Sequence, residues 1–297
     1  MKKLIILCSF FLPLTLSANT ISGFILGQYD GHKTLDGIMP RAGLFGLTHK
    51  GWWYNSLKLT GDTNRTDENG LKQGYWEEKE KIVDLFGDYI AKTKGLYLNG
   101  KKTGVWEVTP PGSPVNELNT YKNGMRNGLC IKMNMRGYLY KWANYKNDTL
   151  DGLYREYMKD GKLMSEINYK MNKLDGEKRT FYGDGKIQES AMYGNNKRNG
   201  ITQWYDLEAN VTIEFNYKDN LLEGVQKTYY KTGQTLTETI YKENVKNGLF
   251  IEYYENGMPK ESGYYVKDKK DGEWHTYNID GTMSNSLYKD DKKVENK

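Results

Sequence analysis

The chain has 297 residues, and its 43 basic and 38 acidic side chains are interspersed, for a net charge of +5. Such a mixture is an ordinary solvated surface and excludes the concentrated basic stripe of a nucleic-acid binder. Only 37% of residues are hydrophobic, yet 25 Tyr and 7 Trp are present. Each such ring buries ~150–250 Å2 on folding, so a packed structure is within reach of this polar chain.

The N-terminus reads Met1-Lys2-Lys3, then runs apolar from Leu4 to Leu16, then Ser17-Ala18. A basic start, a short apolar core and a small residue predict a secretory signal over residues 1–18, cleaved after Ala18. The core is shorter than the ~20 residues a spanning helix needs. An exported protein is therefore expected: periplasmic, cell-surface or secreted. Cys8 leaves with the signal, so Cys130 has no internal disulfide partner and is read as a small buried hydrophobe.

Residues 19–95 carry degenerate repeats. Gly27-Gln28-Tyr29 precedes Gly51-Trp52-Trp53 by 24 residues, and Gly74-Tyr75-Trp76 follows at a looser spacing. Terminal copies of an array diverge because they cap its open end. The stretch Glu80 to Phe86 is expected to be either a longer strand pair or a short helix.

From residue 96 to 290 the chain is regular. Tyr97, Tyr121, Tyr145, Tyr169, Tyr193, Tyr217, Tyr241 and Tyr265 stand 24 residues apart, and a glycine follows each by seven: Gly104, Gly128, Gly152, Gly176, Gly200, Gly224, Gly248 and Gly272. Two combs in fixed register mean one supersecondary unit copied in tandem. Within a copy, Leu163, Ile167 and Tyr169 are separated by even steps and share one face of a strand, with Glu166 and Lys170 on the other. Asp160-Gly161, Asp184-Gly185, Asn256-Gly257 and Asp280-Gly281 predict tight turns, with Ala209 replacing the glycine once. Pairs such as Asp151-Gly152 and Asn199-Gly200 predict the second turn of each copy. The fold expected is all-β: an elongated, twisted antiparallel sheet of tandem 24-residue β-hairpin repeats. Pro110 to Pro114 is a protruding loop, because Tyr121 and Gly128 follow in phase. Residues 291–297 are a polar tail.

Aromatics recur two residues after the comb glycine (Trp53, Trp76, Trp106, Tyr154, Phe250, Trp274) and five after it (Tyr157, Phe181, Tyr205, Tyr229, Tyr253, Tyr277). Stacked copies turn them into ladders. The candidate partner-binding rings are Trp106, Tyr154, Tyr205, Tyr229, Phe250, Tyr253 and Trp274, with core packing the alternative role for each. The sequence offers no catalytic set. His32, His49 and His275 lack metal-ligand spacing, and neither a Gly-x-Ser-x-Gly elbow nor a phosphate loop occurs. No catalytic residue, metal or cofactor is expected.

The unit Gly-x-Trp/Tyr-x-x-Tyr followed by Asn/Asp-Gly is seen best at Gly152-Leu-Tyr154, Gly248 to Gly257 and Asp271-Gly-Glu-Trp274. It resembles the MORN repeat, and most of all the bacterial variant of the YwqK-type antitoxin-like family. The resemblance covers roughly residues 51–290. It implies hairpins side by side in one sheet, used as a scaffold for proteins or lipids, with no enzymatic role. Lys178 and Gln226 depart from it where an aromatic belongs. A protein partner is the first expectation, and membrane lipid or cell-wall glycan the alternative.

Overall fold

The computed structural model describes residues 63–83, 87–134 and 136–294. The expected signal, the traces at Gly27 and Gly51 and the last three residues of the tail lie outside them. The chain divides into two compact units, residues 1–149 and 150–297. Every described element is a strand, and within each unit consecutive strands pair antiparallel.

In the first unit β1 (Arg65–Thr66) pairs β2 (Lys72–Ile82), and the ladder continues through β3 (Tyr89–Leu98), β4 (Lys101–Thr109), β5 (Glu117–Lys122), β6 (Met125–Met133) and β7 (Leu139–Lys146). The long pair β2–β3 keeps register from Gly74↔Tyr97 to Ile82↔Tyr89. The segment after Lys79 thus extends the strand pair and forms no helix in its described part. Pro110 to Pro114 connects β4 to β5 as a turn-bearing loop, with Ser113 N–H donating to the Pro110 carbonyl at 3.2 Å.

The second unit runs β8 (Thr149–Tyr157), β9 (Leu163–Lys170), β10 (Lys173–Phe181), β11 (Ile187–Gly194), β12 (Lys197–Tyr205), β13 (Val211–Lys218), β14 (Leu221–Leu222), β15 (Gly224–Tyr229), β16 (Thr235–Lys242), β17 (Val245–Tyr253), β18 (Pro259–Val266), β19 (Lys269–Tyr277), β20 (Met283–Lys289) and β21 (Lys292–Val294). β14 and β15 are two pieces of one hairpin arm, both paired to β13.

The two combs meet across each hairpin. Gly152 pairs Tyr169, Gly176 pairs Tyr193, Gly200 pairs Tyr217, Gly224 pairs Tyr241 and Gly248 pairs Tyr265. The comb glycine is therefore a strand residue and not a turn residue, which corrects the expected position of the second turn. Gly248 shows why glycine is required: it has φ +143, and a Cβ there would sit 2.8 Å from Ile240 Cβ. The ladder shifts register close by, between Thr239 and Tyr241, as a bulge does.

The second turn lies four residues before the comb glycine. Its two central residues have positive φ in successive copies: Asn147/Asp148, Met171/Asn172, Asn195/Asn196, Asp219/Asn220, Glu243/Asn244, Lys267/Asp268 and Asp290/Asp291. That is the type I′ geometry whose twist matches antiparallel strands, and Asn and Asp tolerate it best outside glycine. The second residue of each pair grips the previous turn. Asn172 accepts from Leu150 N–H at 2.6 Å through its side chain and donates its own N–H to the Leu150 carbonyl at 2.9 Å. Asn196 holds Leu174, Asn220 holds Arg198, Asn244 holds Leu222, Asp268 holds Lys246 and Asp291 holds Lys270 in the same two-point manner; in the first unit Asp148 holds Arg126 so.

The first turn behaves as its Asp-Gly and Asn-Gly pairs predict. Gly161 has φ +86, and its N–H donates to the Met158 carbonyl at 2.9 Å. Ala209 takes the same place with φ +70, a conformation costing roughly 1–2 kcal/mol for a residue with a Cβ.

Two substitutions test this account. Ala209→Gly relieves the left-handed alanine and raises the urea unfolding midpoint, by the equivalent of about 1 kcal/mol. Gly263→Ala puts a Cβ 2.2 Å from the Trp274 ring and costs about 1–3 kcal/mol as overpacking does. Adding Trp274→Thr, which copies the equivalent Ala191↔Thr202 pair three copies earlier, restores part of that loss. An unchanged midpoint in Gly263→Ala contradicts the packing described.

Candidate interaction surface

Strand alternation divides the side chains between two faces. One carries the comb glycine, the residues two and four after it, and the comb tyrosine. On this ring face Trp106 is 1% and Trp274 is 2% exposed, although no described helix lies over them. Other rings and cation stems do the covering. Trp76, Tyr97, Trp106 and Tyr121 form a run of edge-to-face contacts with centroids 4.9–6.5 Å apart. Phe250, Tyr265, Trp274 and Tyr288 repeat the pattern in the second unit, with Phe250 stacked on Trp274 at 5.7 Å.

A cation caps each run. Lys102 Nζ lies 4.4 Å from the Trp106 ring centroid and 5.6 Å from Tyr121, and Lys270 Nζ lies 3.7 Å from Trp274 and 5.4 Å from Tyr288. Carboxylates hold these cations in place: Glu80 bonds Lys102 at 2.6 Å and Glu261 bonds Lys270 at 2.8 Å. Such contacts contribute about 0.5–2 kcal/mol, more as water is excluded.

Close ring packing needs small residues beneath. Gly95 underlies Trp106 and Gly263 underlies Trp274. Where the residue across on the preceding strand is Ile167 or Phe215, the ring is absent. Ile167 faces Lys178, and Phe215 lies one step along β13 from Glu214, which pairs Lys227 beside Gln226. Gln226 is buried and replaces ladder bonds instead of packing a ring. Its Oε1 accepts from Asn216 N–H at 2.6 Å, and its Nε2 donates to the Asn216 carbonyl at 3.2 Å, at the break between β14 and β15.

The opposite face of the second unit is organised in lanes. A tyrosine lane holds Tyr205, Tyr229 and Tyr253, all half-buried. Tyr205 Oη donates to Gln203 Oε1 at 2.8 Å, which puts both on this side. Burial, aided by the carboxylates of Glu177, Glu214 and Glu238 respectively, raises these three phenols above the ordinary value, so they are hydrogen-bond donors at neutral pH. Beside them runs a charged lane whose members are paired: Arg155 with Glu166 at 2.7 Å, Arg179 with Glu177, and Lys227 with Glu238 at 2.8 Å.

The next lane is mainly apolar and part-exposed, broken by Glu177 and Asn216, with Ile240 and Leu249 half-buried. Glu177 pairs Met192, Ile201 pairs Asn216, Val225 pairs Ile240 and Leu249 pairs Tyr264. Met192 is 41%, Ile201 45% and Tyr264 56% exposed. At its margin, where the hairpins turn, Lys170, Lys218 and Lys242 stand exposed, with no ion pair among the described residues.

The seven rings expected to bind a partner thus separate. Trp106 and Trp274 are enclosed on the ring face in different units. Phe250 packs on Trp274, and Tyr154 contacts Tyr169 at 5.5 Å on the same face. Tyr205, Tyr229 and Tyr253 alone share the opposite face. Cys130 is buried as expected, and burial pushes its thiol from 9.0 up to about 11. Among the described residues no acid, His and Cys cluster could hold a metal. The aliphatic lane escaped a reading centred on aromatics. Its signal was present as apolar residues directly after the comb glycine: Leu129, Leu153, Ile201, Val225 and Leu249.

Four segments, residues 150–171, 174–195, 222–243 and 246–267, match the MORN repeat variant, a family of repeats that generally serve as protein- or lipid-binding modules without catalysis. No curated protein matches the chain. Each matched segment begins at the residue gripped by the next turn and ends beside the gripping Asn or Asp.

Alkali tests the burial of the ring face. Tyr121 is pushed up to about 12, chiefly by burial, and Tyr97 is raised by burial and its bond to Glu78. The folded chain holds these protons, and that of Cys130, where the unfolded chain has lost them. Stability is therefore full below the unfolded values and falls as pH rises through the folded ones. The urea midpoint should decline as pH is raised from 9.0 towards about 11, and a flat profile contradicts this assignment.

Proposed function

We propose that this chain is an exported, non-enzymatic repeat scaffold that binds another protein through the lane-bearing face of its second unit. Neutralisation of an exported toxin, as an immunity or antitoxin-like partner, is one form of that role. The observation that carries the reading is the aliphatic lane. A run of Met, Ile, Val, Leu and Tyr side chains, interrupted at Asn216, crosses successive strands with part of its surface in water, and exposed apolar surface of this kind marks interaction sites. The repeat match supports a binding role of this general kind.

The tyrosine lane favours a second reading, recognition of envelope glycan or lipid. Rings with one apolar face and one polar handle stack on sugars and settle at membrane interfaces. Tyr205, Tyr229 and Tyr253 recur every two strands, or roughly 10 Å along the sheet.

A crosslinked pulldown with the chain lacking residues 1–18, from an envelope fraction read by mass spectrometry, separates the two. The expected result is one stoichiometric protein whose crosslinks fall on the lane-bearing face. Recovery of lipid or cell-wall material without a protein transfers the role to the tyrosine lane.

A further inference from the structure

We infer, independently of the binding role, that Tyr97 is a redox-active tyrosine: an oxidising equivalent taken up by Trp76 or Trp106 comes to rest on it as a neutral radical, with the phenolic proton passed to Glu78. Tyr97 stands between the two tryptophans, edge-on to Trp76 with centroids 5.8 Å apart and to Trp106 at 4.9 Å. Indole and phenol both yield an electron to strong one-electron oxidants, and rings in contact exchange it rapidly. Trp76 is half-buried and open to a small oxidant, whereas Trp106 is 1% exposed and is reached through its neighbours.

Proton acceptors decide where the oxidation settles. A ring that has lost an electron becomes far more acidic, and it is trapped as a neutral radical where a base takes its proton. Trp76 Nε1 donates to the Gln73 carbonyl at 3.1 Å, and Trp106 Nε1 donates to the Leu96 carbonyl at 3.1 Å. A peptide carbonyl is too weak a base to hold that proton, so neither tryptophan traps the charge. Tyr97 Oη instead donates to Glu78 Oε1 at 2.8 Å. Burial opposes it, but the bonds from Lys72 and Tyr97 hold the Glu78 carboxyl below its ordinary value, so it stands ionised as the acceptor at neutral pH. Among the described residues Tyr97 is the one comb tyrosine bonded in this way.

The cations of the ring face push in the same direction. Lys72 Nζ lies 4.5 Å from the Trp76 centroid, and Lys102 Nζ lies 4.4 Å from that of Trp106. A cation over a ring opposes positive charge within it. An oxidised tryptophan that keeps its proton carries that charge. Tyr97, 4.7 Å from the Lys72 ammonium, moves it out of the ring with the proton.

In full, a one-electron oxidant from solution takes an electron from Trp76, Tyr97 returns an electron to Trp76, and the Tyr97 O–H proton crosses to the Glu78 carboxylate. The oxidant is reduced by one electron, Tyr97 becomes a phenoxyl radical, Glu78 becomes a carboxylic acid and Trp76 is restored. The second unit supplies a contrast. Trp274 touches Tyr265 at 5.2 Å and Tyr288 at 6.2 Å, but neither phenol donates to a carboxylate among the described residues.

Pulse radiolysis with azide radical, a one-electron oxidant that attacks tryptophan first, tests this on the chain lacking residues 1–18. Transient absorption and electron spin resonance identify the radicals. In the wild type, part of the tryptophanyl signal should decay into a fast tyrosyl phase. Tyr97→Phe keeps the ring and should remove that phase. Glu78→Gln should slow it roughly tenfold or more, and Glu78→Asp should restore part of the rate. Trp274→Phe should leave it in place. Thermal unfolding checks that each variant is folded; a purely structural bond between Tyr97 and Glu78 shifts the midpoint and leaves the radical kinetics alone.

A tyrosyl phase of wild-type rate in Tyr97→Phe or in Glu78→Gln overturns the inference, as does its loss in Trp274→Phe or its absence from the wild type. Should Glu78→Gln unfold, the wild type decides: the fast phase slows in heavy water because a proton moves with the electron, and an unchanged rate overturns the assignment.

Discussion

The structure depends on a grip between neighbouring turns. In each clasped copy an Asn or Asp with positive φ accepts the N–H of a residue one hairpin back and returns its own N–H to that residue's carbonyl, as Asn196 does with Leu174. A hairpin alone is marginal in water, and three or more strands are needed before a sheet persists. The clasp fixes each hairpin against the last by two bonds that do not depend on side-chain packing, each contributing about 0.5–1.5 kcal/mol. The earlier turns, Asn99-Gly100 and Asn123-Gly124, keep the backbone half of it: Gly100 N–H donates to Lys72 and Gly124 N–H to Lys102.

With spacing set in this way, the ring face solves a packing problem strand by strand. Where a tryptophan stands two residues after the comb glycine, as Trp106 and Trp274 do, the strand across supplies glycine, and Gly263 beneath Trp274 lets Phe250 stack beside it. Where the strand across supplies Ile167 or Phe215, the ring position holds Lys178 or Gln226. Gln226 goes further and substitutes its amide for backbone at a break in the strand. Departures from the repeat consensus are therefore compensations for a neighbour, as close packing demands. Burial raises Tyr121 and Cys130 on this face, as it does Tyr205, Tyr229 and Tyr253 on the other, because it disfavours phenolate and thiolate alike.

Much of this architecture was legible in the sequence. The 24-residue combs give two strands to each copy, and Asp160-Gly161 and its equivalents mark one turn, down to Ala209 adopting the conformation its glycine counterparts use. The second turn was misplaced, because Asp151-Gly152 looks like turn chemistry; the glycine there is a strand residue facing a tyrosine. The true turn has its own 24-residue comb at Asp148, Asn172, Asn196, Asn220, Asn244 and Asp268. It is masked because the residue before it varies among Asn, Met, Asp, Glu and Lys. The candidate surface was harder to read. Aromatic residue type does not say which face a ring takes, and Trp106 and Tyr205 differ by that alone. The lane that stays in water is built from Met, Ile and Val, residues that sequence reasoning assigns to a core.

A sheet held by its turns and packed on one face leaves the other free to carry an exposed apolar row without cost to the fold, and the proposed binding role follows from that division. The division stands or falls with the clasp. Native-state hydrogen exchange on the wild-type chain and on Asn196→Ala measures it directly. The account predicts that the Leu174 amide, protected in the wild type, exchanges at least tenfold faster in the variant, with the loosening confined to the adjoining hairpins. An unchanged Leu174 amide, or uniform loosening of the whole second unit, would contradict it.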